Sequence, residues 1–162
     1  DIFINTHPEE MKQPDQLLAS LRQLRKRHPN ISLVFEIHEE CITDVHSLRD
    51  FKQELKKMRI GLAFDDFGVG QSRFMELTEA KPDIIKFDKV LIAGIDTADE
   101  GRVALLRHLK QIASELSIHT LAECVENEGE YRVCNEIGFD LYQGFFFARP
   151  QAASTCSKNL HN

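Results

Sequence analysis

No apolar run in this chain of 162 residues approaches the roughly 20 that a helix needs to cross a bilayer. A basic stretch leading into a long apolar one is also missing from its start, which gives the expectation of no secretory leader. Positive charge is in the minority: 20 Lys and Arg against 26 Asp and Glu leave a formal net charge of −6. That balance argues against duplex nucleic acid as the main partner. It leaves room for a small phosphorylated ligand, because a bound divalent cation inverts the local sign of a site. Cysteine is sparse, and Cys41, Cys124, Cys134 and Cys156 form no C-x-x-C pair. Such usage suits reduced thiols and a cytoplasmic location better than a disulfide framework or a zinc site.

What is there has an ordinary globular balance, 42% hydrophobic and 28% charged. The length holds one domain with a sizeable core, not two. Short apolar runs alternate with amphipathic segments. Asp1-Ile-Phe-Ile-Asn5 is the first strand candidate, and Leu17, Leu18, Leu21 and Leu24 then mark one face of a helix. Ile31 to Ile37 reads as a second strand, followed by helical spacing through Val45, Leu48, Phe51, Leu55 and Met58. Ile60 to Asp65 is the third strand, running into a turn at Gly68 and Gly70 and a short helix from Arg73 to Glu79. Asp83 to Phe87 is the fourth, and the clearest helical stripe follows at Leu105, Leu106, Leu109, Ile112, Ala113 and Leu116. Ile118 to Glu123 is the fifth strand, then a helix from Glu128 to Ile137 with Gly138 placed as its C-cap. Phe139 to Gln143 is the sixth strand, and a polar, loose tail is expected after Pro150.

Strands alternating with helices imply a mainly parallel sheet with right-handed crossovers, as an open doubly wound sheet or as a (β/α) barrel. The period alone does not separate the two. The polar residues do. Each candidate strand is apolar along its length and then places a reactive or chelating side chain near its C-terminal end: Asn5, Glu36, Asp65 with Asp66, Lys86, Glu123 and Gln143. In a barrel those ends converge on one face, where such barrels build their active sites. An open sheet gathers function at one switch point and would leave several of these residues apart.

Blander readings stand beside this one. Asp66 taken alone reads as a helix cap or turn residue. Glu36 inside Val34-Phe35-Glu36-Ile37 needs a cation or a salt-bridge partner, and a plain ion pair with Lys86 would serve. His38 reads first as a strand-end histidine making an ordinary hydrogen bond, and second as a ligand. Taken together, Asn5, Glu36, Asp65, Asp66 and Glu123 make an oxygen-rich, strongly negative cluster, which hard divalent cations such as Mg²⁺ or Mn²⁺ would relieve better than Zn²⁺. Asp65 with Asp66 suits two ions roughly 3.5–4 Å apart, the arrangement used for phosphodiester hydrolysis, with Lys86 free to orient a water or offset charge.

Five motifs then occur in order: Phe35-Glu36-Ile37-His38-Glu39, Asp65-Asp66-Phe67-Gly68-Val69-Gly70, Lys86-Phe87-Asp88, Ala122-Glu123-Cys124-Val125-Glu126 and Gln143-Gly144. With Ile4-Asn5 before them, they resemble the EAL-domain cyclic di-GMP phosphodiesterases over nearly the whole chain up to Pro150. The resemblance implies a TIM-like (β/α) barrel of which about six of eight β/α units are present, the N-terminal ones lying outside this sequence. Residues 1–150 would form this partial barrel domain and 151–162 the polar tail. It implies hydrolysis of cyclic di-GMP to the linear dinucleotide, in bacterial second-messenger signalling, with two Mg²⁺ or Mn²⁺ ions.

The resemblance also implies roles. Asn5, Glu36 and Asp65 would hold one metal, and Asp65, Asp66 and Glu123 the other. Lys86 would contact the attacking water, and Glu123 also holds the family's proposed base position. Glu39, grouped with these catalytic residues, would brace the loop after Asp66, while Glu126 and Gln143 would lie near the substrate. This chain departs from the family pattern at His38, usually threonine, at Cys124, usually glycine, and in the run Gly68 to Ser72. No counterpart of the family's naming motif, whose glutamate is a metal ligand, precedes Asn5.

Three expectations compete: an enzyme domain, a catalytically inactive module that binds cyclic di-GMP or a protein partner, and a fragment that completes its barrel with a second chain or as a homodimer. Retention of every carboxylate in the cluster favours the first. Open strand edges would make the chain alone a poorly behaved monomer.

Overall fold

The computed structural model describes residues 1–38, 45–68 and 74–151. The chain runs β1 (Ile2–Asn5), α1 (Pro8–Met11), α2 (Pro14–Arg27), β2 (Leu33–His38), α3 (Val45–Lys57), β3 (Ile60–Phe67) and α4 (Phe74–Ala80). It continues through β4 (Ile84–Phe87), α5 (Lys89–Ile92), a 3₁₀ turn (Ile95–Thr97), α6 (Glu100–Glu115), β5 (His119–Ala122), α7 (Glu128–Ile137) and β6 (Leu141–Tyr142). The strands form one six-stranded sheet in the unbroken order β1-β2-β3-β4-β5-β6, each pair parallel. A doubly wound sheet reverses its strand order at a switch point. A run of consecutive parallel neighbours is how a (β/α) barrel winds, and the fold is TIM-like.

The sheet has two apolar faces, and period two separates them. Phe35, Ile37, Leu62, Phe64, Ile85 and Phe87 look outward into the main core, where Leu18, Leu21, Leu48, Phe51, Leu55, Leu106 and Cys134 of the helices cover them. Each such side chain contributes about 1.5–3 kcal/mol on burial, so this layer is what holds the helices on. The alternate residues Val34, Ala63, Ile84 and Leu121 form a second, smaller cluster with the partly buried Phe3 and Leu141. That cluster is the floor of the barrel interior.

Local signals explain several of the element ends. Asn127 caps α7 by accepting the Glu130 amide at 2.9 Å, and Gly138 closes it in a left-handed conformation at φ 94°. Asp99 caps α6 through the Arg102 amide. The expected strands and long helices are all present, with three differences. The short α1, capped by His7 and Glu10, and the α5–3₁₀ segment between β4 and α6 were not foreseen, being too short to show a periodic stripe. The expected strand from Phe139 to Gln143 keeps only Leu141 and Tyr142 as ladder residues, because Phe139 turns into the core instead. Residues 39–44, 69–73 and 152–162, with the expected turn at Gly70, the start of the expected helix at Arg73 and the expected loose tail, lie outside the described residues.

Candidate active site

The inner face of the sheet carries the chemistry one step above its apolar floor. Phe3, Val34, Ala63, Ile84, Leu121 and Leu141 make the floor. Two residues further along each strand, hence on the same face, stand Asn5, Glu36, Asp65, Lys86, Glu123 and Gln143. The ladder extends far enough to carry the last two, since Glu123 N–H donates to Phe87 O at 3.1 Å and Gln143 N–H to Ala122 O at 2.9 Å. The strand-end residues expected from the sequence therefore do share one face.

Lys86 is the hub. Its Nζ lies 2.7 Å from Glu36 Oε1, 2.8 Å from Asp65 Oδ1 and 2.9 Å from Glu123 Oε1. The side chains of Lys86 and Glu36 are only 5% and 4% exposed. Burial by itself would favour a neutral amine, but hydrogen bonds to Asp65, Glu123 and Glu36 outweigh it and hold the ammonium well above the usual lysine range. The carboxylates respond the other way. Burial pushes the Glu36 and Glu123 acids up, Lys86 pulls them back, and the neighbouring carboxylates push them further. One ammonium thus serves more negative charge than it can balance. The ion pair between Glu36 and Lys86, weighed above as the bland alternative, is present, and Lys86 reaches the other carboxylates as well.

Asp66 reaches the cluster by a different route. Consecutive strand residues point to opposite faces, so a regular β3 would send Asp66 outward if Asp65 points in. The pairing of β3 with β4 breaks register between Phe64 and Phe67, and Asp66 takes a left-handed backbone at φ 58°. Asparagine and aspartate tolerate that region better than other side-chain-bearing residues. The irregularity re-aims the carboxylate, and Asp65, Asp66 and Glu123 each offer an oxygen within 4.8 Å of the others. An all-oxygen trio of this size fits a hard divalent cation. Burial and the Asp65 charge raise the Asp66 acid, while His38 and Lys86 oppose them. His38 Nε2 is 2.5 Å from Asp66 Oδ2.

The remaining expected residues divide. Asn5 stands in register beside Glu36 but is exposed, and neither belongs to the carboxylate trio. Glu39 lies outside the described residues. Glu126 and Gln143 line a cavity of about 400 Å³ with Cys124, Gly144, Phe145 and Arg149, the guanidinium of Arg149 lying 4.7 Å from the centre of the Phe145 ring. Cys124 sits at φ 54°, so its side chain is carried by a left-handed turn just after Glu123. A Cβ on Gly144 would collide with the Val125 backbone, which explains the glycine there.

Sequence reasoning missed Glu130. This buried carboxylate accepts the Glu126 and Gly94 amides, each at 2.7 Å, and so fixes the loop that presents Glu126. Its sequence signal was an Asn127-x-x-Glu130 cap pattern, which does not foretell the long-range partner Gly94.

The EAL domain family model matches residues 1–150. "Probable cyclic di-GMP phosphodiesterase PdeD" of Escherichia coli (strain K12) is 32% identical over 153 residues, covering 92% of this chain and 28% of that protein. The crystal structure of the EAL domain of Mycobacterium smegmatis DcpA has a TM-score of 0.89 over 98% of this chain and 71% of that one, at 24% identity, a likeness of fold. The manganese and cyclic di-GMP complex of Klebsiella pneumoniae BlrP1 has a TM-score of 0.79 at 30% identity, over 91% of this chain and 38% of that one. The chain spans 20–28% of the length of four curated relatives that it matches.

Proposed function

The chain belongs to the EAL domain family, and on that footing we propose that it hydrolyses cyclic di-GMP to the linear dinucleotide at the strand-end cluster, using two Mg²⁺ or Mn²⁺ ions in bacterial second-messenger signalling in the cytoplasm. The observation that carries the proposal is the meeting of Asp65, Asp66 and Glu123 beside the buried Lys86. Asp65, Asp66 and Glu123 would hold one cation, and Asn5, Glu36 and Asp65 the other. When bound, such ions polarise phosphoryl oxygens and acidify water.

The chain's own groups supply the rest. Lys86, held protonated, orients the attacking water and offsets negative charge that grows on the phosphoryl oxygens. Glu123, its acid raised by burial, takes the proton from that water as the new P–O bond forms. The opposite P–O bond then breaks, and the released sugar oxygen takes a proton from solvent water, while Glu123 returns its proton to solvent. Glu126 and Gln143 hold part of the dinucleotide in the adjoining cavity. Glu39 would brace the loop that follows Asp66. β1 and β6 each pair on one side only among the described residues, so closure of the barrel falls to further chain or to a second copy.

The test is turnover of cyclic di-GMP with Mg²⁺ and then Mn²⁺, beside Asp65→Ala. Turnover that disappears in the variant supports the proposal. Calcium-dependent ligand binding without turnover would make the chain a catalytically inactive binding module. Neither turnover nor binding would leave only the scaffold.

A further inference from the structure

His38 stands at the end of β2, one step above Glu36 on the inner face, in register with Asp65 of β3. A strand-end histidine of this kind has nothing to do in the water-attack chemistry described above, yet its Nε2 lies 2.5 Å from Asp66 Oδ2. With its proton on Nε2 the ring donates to that carboxylate.

Asp66 needs such a partner more than Asp65 does. Asp65 is set on the inner face by the strand and is gripped by Lys86 at 2.8 Å. Asp66 sits where the β3–β4 register breaks, in a left-handed backbone, so regular pairing does not dictate where its carboxylate points. A donor fixed on the neighbouring strand supplies what the backbone does not: it selects one direction for the carboxylate.

We propose that His38 is a positioning residue for the cation site: its Nε2–H holds Asp66 Oδ2 so that the other face of that carboxylate meets Asp65 and Glu123. The inference rests on the reading of Asp66 as a cation ligand. Hydrogen-bond partners standing behind metal ligands commonly govern affinity, and their loss weakens binding about 10- to 100-fold.

The experiment is Mn²⁺ binding to the chain, read from the electron paramagnetic resonance signal of the free ion, for the parent, His38→Ala, His38→Gln and Asp66→Ala. Circular dichroism and urea unfolding without metal establish that each variant folds, which the half-exposed His38 should permit. His38→Ala should bind Mn²⁺ about 10- to 100-fold more weakly. His38→Gln, which keeps an N–H at similar reach, should recover most of that loss. Parent-like binding by His38→Ala, with Asp66→Ala weakened, would overturn the positioning role alone. Equal weakness of His38→Ala and His38→Gln would also overturn it, since a donor would then not be what matters. Parent-like binding by Asp66→Ala would remove the cation-site reading itself, a result distinct from either.

Discussion

At the end of the sheet where its strands begin, Asp83 accepts the Leu62 amide at 2.8 Å, and Asp140 accepts the Thr120 amide and hydroxyl, each at 2.8 Å. At the end where the strands finish, Glu36, Asp65 and Glu123 crowd one ammonium. The side chains are the same kind and the strands are the same. What differs is the surroundings: each aspartate of the first end has its own backbone donor and a nearby lysine, whereas the carboxylates of the second share one ammonium and face each other. Burial raises the Asp140 acid, but the bonds from Thr120 and the charges of Lys110 and His119 outweigh it and bring it below its usual range. For Glu36, Glu123 and Asp66 burial wins, and those acids rise. In (β/α) barrels the first end serves stability and the second serves chemistry. Here the charge environment of each end matches that division.

Removing Lys86, the ammonium that Glu36, Asp65 and Glu123 share, should have the largest effect. Lys86→Met leaves three carboxylates facing each other without a counter-charge. Breaking a buried ion pair on one side typically costs about 3–5 kcal/mol, so urea unfolding without metal should show a loss of that order. Turnover should fall below detection, and added Mn²⁺ should restore part of the stability by replacing the missing positive charge. If stability is unchanged, the upper end is not under the strain described.

A smaller effect is expected at the lower end. Asp140→Ala strips the buried Thr120 of the acceptor for both its amide and its hydroxyl, at a part-buried site. An unsatisfied buried donor costs about 1–3 kcal/mol. Urea unfolding should show that loss, while Mn²⁺ affinity stays at the parent value. A coupled loss of affinity would mean that the two ends are not separable.

The smallest and most diagnostic effect is the response to pH. Between their unfolded and folded values, Glu36, Glu123 and Asp66 bind more protons in the native state, so they make the metal-free protein less stable as pH rises through that window. Asp140 has the opposite sign. Its contribution is present above its unfolded value and is lost as pH falls through its folded value. Urea midpoints without metal should therefore rise on mild acidification from neutral pH and fall again at stronger acidity. Saturating Mn²⁺ should flatten the first limb, because the bound ion competes with the protons. A monotonic profile without metal would contradict the contrast between the two ends.

Much of this site was legible beforehand, because a strand repeats every two residues and a barrel gathers its strand ends. Asn5, Glu36, Asp65, Lys86, Glu123 and Gln143 were placed on one face by that rule alone, and the apolar floor stands two residues behind each on the same face. Asp66 was legible by type but not by route. The register break that turns it inward depends on β4, a neighbour distant in sequence, and D-D in a strand reads equally as a turn. His38 was legible as a hydrogen-bonding histidine or a ligand, but that it meets Asp66 is a matter of the adjacent strand. Glu130 and the cavity shared by Glu126, Gln143 and Arg149 arise where the loops after β5 and β6 meet, which no local pattern encodes.

The sequence by itself determined the alternation of strands and helices, the inward face of each strand and the kind of side chain at its end. Those follow from backbone geometry and hydrophobic period, which act within a few residues. Only the tertiary structure decided that Lys86 would serve several carboxylates at once, that Asp66 would join them through a left-handed backbone, and that His38 would stand behind it. Charge balance and hydrogen-bond direction at this site are set by groups on different strands, and those groups meet only when the sheet curls.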